Sequence, residues 1–197
     1  MDGPPTGISR RELIVTTAFV PLAALTASAQ PAGGALSPDE MRTLEAFIAR
    51  LIPADELGPG AVEAGVQIYI DRALASAYAD RKASFTEGLR NVDSYARRAH
   101  GHAFADLAPA DRDTVISAME QGTADAFPTA RGVFAAIRSL TMEGMFGDPH
   151  YGGNKDYAGW DLIRYPGPRL AVAPEDQALN RAAKPYRQSA WGAQHGH

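Results

Sequence analysis

Between Ser37 and Gly147 the apolar residues recur every three or four positions in five successive runs, with no alternating run of any length among them. That period belongs to an amphipathic helix and argues against a strand-based fold over this stretch. Ser37, Pro38 and Glu40 open the first run as an N-cap, a first-turn proline and the partner of a capping box. Met41, Leu44, Phe47, Ile48 and Leu51 then share one face, and Pro53 stops the helix. A second helix is expected within residues 61–79, with Val62, Val66, Tyr69, Ile70 and Leu74 as its stripe. A third is expected within 80–101, on Phe85, Leu89, Val92 and Tyr95 or Ala96; Arg97, Arg98 and His100 at its end complement the helix dipole. The fourth, within 103–122, has Pro109 near its first turn and turns Val115, Ile116 and Met119 inward. The fifth, within 128–147, uses Val133, Phe134, Ile137, Leu140, Thr141 and Met145, and Gly144 and Gly147 loosen its end.

The periodicity stops at Gly147. The expected fold is therefore all-α: a small bundle of about five helices over residues 37–147, then an irregular Gly-, Pro- and aromatic-rich C-terminal arm and tail over 148–197. Ahead of the bundle, residues 30–36 (QPAGGAL) read as a linker.

Residues 1–29 read as an export signal. Arg10 and Arg11 precede an uncharged apolar stretch from Ile14 to Leu25, and Ala27-Ser28-Ala29 supplies a small-x-small cleavage site. The apolar stretch is too short to span a bilayer comfortably. The paired arginines point to the twin-arginine route, which carries folded proteins, and so to a periplasmic location.

Composition removes several chemistries. The chain has 197 residues and no cysteine, which excludes disulfides, thiolate nucleophiles and Cys-held zinc or iron–sulfur clusters. A net charge of −4 argues against a nucleic-acid partner. No Gly-x-Ser-x-Gly elbow and no HExxH pattern is present. GPGAVEAG precedes a helix, and YGGN contains paired glycines, but neither follows a strand as a dinucleotide turn requires. The five histidines are scattered, and His100 and His102 are spaced wrongly to share a helical face. Glu143, Asp148 and His150 are the one set that would suit a stand-alone, metal-assisted periplasmic enzyme; this is the alternative reading. A periplasmic module for a small ligand is a third. No catalytic, cofactor-binding or metal-binding residue is assigned.

The stretch GDPHYGGNKDYAGWDLIRYPGP, from Gly147 to Pro168, remains to be explained. Tyr151, Tyr157, Trp160 and Tyr165 are large, rigid side chains of the kind enriched where proteins bind one another. Gly152 and Gly153 permit unusual backbone shapes, while Asp148 and Asn154 fix turns. The stretch reads as a recognition surface, as a brace packed on its own bundle, or as both.

The same residues resemble the signature of the gluconate 2-dehydrogenase subunit 3 family. The resemblance rests on Glu143-Gly144-x-Phe146, Asp148-Pro149-x-Tyr151-Gly152-Gly153-Asn154, Gly159-Trp160 and Tyr165-Pro166-Gly167. Ile52-Pro53, Gly60-Ala61-x-x-Ala64-Gly65-Val66 and the twin-arginine leader agree with it. His150 stands where the family often has an apolar residue. The resemblance implies a non-catalytic, cofactor-free small subunit of a sugar, sugar-acid or polyol dehydrogenase. Its large partner would resemble the glucose–methanol–choline oxidoreductases and carry FAD, and a cytochrome c subunit often takes the electrons. The small subunit would help the large one fold and lend it a signal for the twin-arginine translocase, giving a periplasmic complex that is in some cases membrane-bound. The expected partner interface is Asp148, Tyr151, Gly152, Gly153, Asn154, Tyr157, Trp160 and Tyr165, and the export determinants are Arg10 and Arg11.

Overall fold

Six α-helices carry the architecture in the computed structural model, which describes residues 34–169, 174–177 and 184–191. Arg10, Arg11 and the whole expected leader lie outside the described residues. The helices are α1 (Pro38–Leu51), α2 (Val66–Ala75), α3 (Lys82–His100), α4 (Pro109–Gln121), α5 (Ala130–Phe146) and α6 (Ala158–Leu162). No β-strand element occurs among the described residues.

The start of α1 follows the sequence closely. The Ser37 hydroxyl accepts from the Glu40 amide (3.3 Å), and the Glu40 carboxylate accepts from the Ser37 amide (2.9 Å). Each of the later helices is shorter than the window expected for it. The largest shift is at α2, because residues 61–65 wind into a separate turn. The Ala61 amide donates back to Ile52, the Val66 amide donates to Ala61, and Gly65 takes a left-handed conformation (φ +75°) before the helix starts. Gly101 and Gly122, also left-handed, close α3 and α4.

α5 is the centre of the bundle and packs against α1, α2, α3, α4 and α6. Leu44, Phe47, Ile48, Ile70, Leu74, Leu89, Val92, Val115, Met119, Ile137 and Met145 are buried with Phe104 in one core. These side chains come from all five long helices, so no helix is stable apart from its neighbours. Burial of each large apolar side chain contributes roughly 1.5–3 kcal/mol. Polar ties fix the register at the rim: the Arg50 guanidinium forks onto the Asp113 carboxylate at 2.7 and 2.8 Å, joining α1 to α4. Asp93 accepts from the Thr43 hydroxyl and the Phe104 amide, joining α3 to α1 and to the turn before α4.

The expected arm is more ordered than its composition implied. It forms two short 3-10 turns (Pro149–Tyr151 and Lys155–Tyr157) and the helix α6, which packs on α5.

Candidate functional site

The eight residues expected at a partner interface all fall in one clasp over the end of α5. Its keystone is Asn154, fully buried and in a left-handed conformation (φ +48°) that asparagine tolerates better than most residues. Its side-chain nitrogen donates to the Gly147 carbonyl, and its side-chain oxygen accepts from the Gly159 amide, both at 2.8 Å. One side chain thus holds the end of α5 to the start of α6. The neighbouring Lys155 amide donates to the Ala64 carbonyl (2.9 Å), which ties the clasp to the turn before α2. Gly153 lies against the backbone of Gly144, and a Cβ there would collide with the Gly144 carbonyl oxygen.

Trp160 turns inward. It is 5% exposed, and its indole N–H donates to the Phe146 carbonyl (2.9 Å). Tyr157 tilts against one side of it (5.3 Å between ring centres) and Tyr165 meets it edge-on (5.0 Å). Trp160, Asn154 and Gly153, all three expected at the partner interface, are therefore interior residues of the chain by itself. Tyr157 is half-buried; Tyr151 and Tyr165 face outward.

Asp148 caps the Pro149–Tyr151 turn by accepting from the His150 amide (2.9 Å). Its other carboxylate oxygen accepts from the Ala190 amide (2.8 Å), so it also holds the tail. Burial pushes this carboxyl up, but hydrogen bonds from Ser189, His150 and Ala190, together with the charge of His150, hold it below the usual carboxylate range.

Glu143 serves a different group. Its carboxylate accepts from the hydroxyls of Tyr69 (2.9 Å), Tyr78 (3.1 Å) and Ser139 (3.3 Å). Burial, and then the bond to Glu143, push the Tyr69 phenol well above its ordinary range. Glu143, Asp148 and His150 are thus not gathered into one centre. Among the described residues no three His, Asp or Glu side chains form a group suited to a metal ion. His100 instead faces Asp111 (3.5 Å), and His102 is exposed.

Sequence reasoning missed the returning tail. Residues 184–191 run back across the arm, Tyr186 pairs its amide with the Pro166 carbonyl (2.6 Å), and Arg187 pairs with Asp161. Trp191 stacks on His150 (5.6 Å between ring centres, 28° between planes). One signal was available: Trp191 is one of only two tryptophans in the chain.

A bundle built around one central helix, closed at its end by a glycine- and aromatic-rich clasp, defines a small all-α scaffold. The chain belongs to the gluconate 2-dehydrogenase subunit 3 family, whose model matches residues 38–167. The match runs from the first residue of α1 to the glycine that follows Tyr165 and Pro166, so it takes in both the bundle and the clasp. Membership implies a place among the small subunits of heteromeric dehydrogenase complexes. Comparison with curated proteins and with solved structures found no match.

Proposed function

We propose that the chain is the non-catalytic small subunit of a periplasmic, FAD-dependent dehydrogenase complex acting on a sugar, a sugar acid or a polyol. Family membership over residues 38–167 is the observation that carries this reading. The large subunit, of the glucose–methanol–choline type, holds the FAD and does the chemistry. A cytochrome c subunit is the natural electron acceptor.

The small subunit's contribution is folding and export. The twin-arginine route carries folded cargo, so one leader in a complex suffices for both chains. Arg10 and Arg11 supply that leader. No helix among the described residues is long and apolar enough to cross a membrane. The clasp gives the large subunit a rigid surface, with Asp148 and Asn154 fixing its shape from within and Tyr151 and Tyr165 facing out. Gly152, Gly153, Tyr157 and Trp160 act through that shape.

The test is a pull-down of the mature chain from its native periplasm, followed by an absorption spectrum of the eluate. A co-eluting large protein with flavin absorbance is the expected result. A colourless single chain overturns the reading.

A further inference from the structure

Gly34, Ala35 and Leu36 are fastened to the bundle just ahead of α1. The Leu36 amide donates to the Asp71 carboxylate on α2 (2.9 Å). Gly34 lies so near the same carboxylate that a Cβ on it would collide with both of its oxygens. Ala35 and Leu36 are buried, at 7% and 9% exposure, and belong to the main core. The Ser37–Glu40 capping box follows directly, so the chain has no slack between Gly34 and the first turn of α1.

This fastening lies close to an expected cut. The small-x-small pattern Ala27-Ser28-Ala29 puts the cleavage bond between Ala29 and Gln30. Four residues, Gln30 to Gly33, separate that bond from Gly34. Four residues reach at most about 14 Å. A protease takes its substrate as an extended strand, held along the backbone on both sides of the cut. The residues after Gly33 that would enter such a cleft are those held by Asp71.

The twin-arginine route carries folded cargo, so the fastening is already made when a processing protease meets the chain. Cleavage then depends on the fraction of chains in which residues 34–36 have come away from α2. Such local openings cost far less than global unfolding, and proteolysis follows their population when they open and close quickly.

We propose that Asp71 sets the rate at which the leader is removed: by holding Gly34 and Leu36 it withholds the Ala29-Gln30 bond from a protease cleft until the fastening opens. This rests on the export reading above and adds to it a residue of the bundle that times the processing. The reaction is hydrolysis, with the protease supplying the catalytic groups. Water adds at the Ala29 carbonyl carbon and the bond to the Gln30 nitrogen breaks. Ala29 is left as a carboxylate and Gln30 with a free amino group.

The experiment presents the folded, full-length chain to a purified signal peptidase in detergent and follows cleavage at Ala29-Gln30 by mass. Four chains are compared: the wild type, Asp71→Ala, Gly34→Ala, whose methyl displaces the carboxylate, and a chain with a flexible Gly/Ser spacer of about eight residues between Gly33 and Gly34. Melting curves and hydrogen exchange at the Leu36 amide are recorded beside them. Loss of a hydrogen bond to a charged group is expected to speed cleavage about tenfold in both substitutions, with Leu36 exchange rising in step and melting little changed. The spacer chain should be cut at least as fast with its Leu36 exchange unaltered. Rates within about twofold across all four chains overturn the inference and leave the export reading intact. Fast cleavage of the spacer chain with Asp71→Ala unchanged also overturns it, because length alone would then set the rate. No cleavage at Ala29-Gln30 in any of the four overturns both.

Discussion

Gly153 rests directly on the backbone of Gly144, with no room between them for a methyl group. Gly144 belongs to the last turn of α5 and Gly153 to the clasp, so the contact sets how closely the clasp seals the bundle. Gly153→Ala is expected to destabilise the chain by about 3 kcal/mol, because backbone must move to admit the methyl. Gly132, early in α5, is the opposite case: a Cβ there meets nothing within 4 Å. Gly132→Ala is expected to stabilise by about 0.5–1 kcal/mol through helix propensity. Paired denaturant titrations decide; equal effects at both sites would contradict the clasp geometry.

Trp160→Ala should act on folding before it acts on binding. The side chain is buried and donates to Phe146, so its removal is expected to cost about 3–5 kcal/mol of stability. Trp160→Phe keeps most of the packing and leaves the Phe146 carbonyl without its donor, for a cost nearer 1–2 kcal/mol. Unfolding curves of the isolated chain separate the two. A Trp160→Ala chain of normal stability that still loses its partner would return Trp160 to the role of surface anchor.

Asp148 gives the clasp an acid limit. Its folded value is depressed, so its contribution is complete above the usual carboxylate range, near pH 4, and is lost as pH falls through the lower folded value. Hydrogen exchange at the Ala190 amide, followed as pH is lowered, should report release of the tail. Asp148→Asn should remove that dependence, and an unchanged acid limb would show that other carboxylates set it.

Tyr69 predicts the alkaline side. Its folded value is raised, so the contribution of the neutral phenol is complete below its ordinary value, near pH 10, and is lost as pH climbs through the higher folded value. Tyr69→Phe should flatten the alkaline limb of a stability profile. It should also cost about 1–2 kcal/mol at neutral pH, since Glu143 loses a donor. A steeper alkaline limb in the variant would rule out this role for the phenol.

Under the proposed escort role, Arg10→Lys with Arg11→Lys should hold both this chain and the proposed flavoprotein partner in the cytoplasm. Dehydrogenase activity in fractionated cells is the measurement. Normal periplasmic activity would contradict the escort role.

The bundle was legible because each helix buries a stripe whose period is local. Leu44, Phe47 and Ile48, or Ile137, Leu140 and Met145, can be read without knowing what they face. The capping box of α1 was legible for the same reason, being contained in four residues. The clasp residues could be found but not oriented. Asn154, Lys155 and Trp160 take their places from bonds to Gly147, Ala64 and Phe146 that no local pattern encodes. Four of the five non-glycine residues with positive φ among those described fall at Asn154, Asp156, Tyr157 and Arg164, so propensity misleads most where the clasp turns. Trp160 illustrates the result: its residue type suits an interface, and its hydrogen bond to Phe146 places it in the interior.

The bond from Lys155 to Ala64 spans roughly ninety residues, and closing so long a loop is entropically slow unless the intervening chain is already organised. Its two ends meet only once α2 and α5 lie side by side. The clasp also follows all five long helices in chain order, so each of them is synthesised before it. Closure of this end of the molecule therefore reports that the helices have assembled.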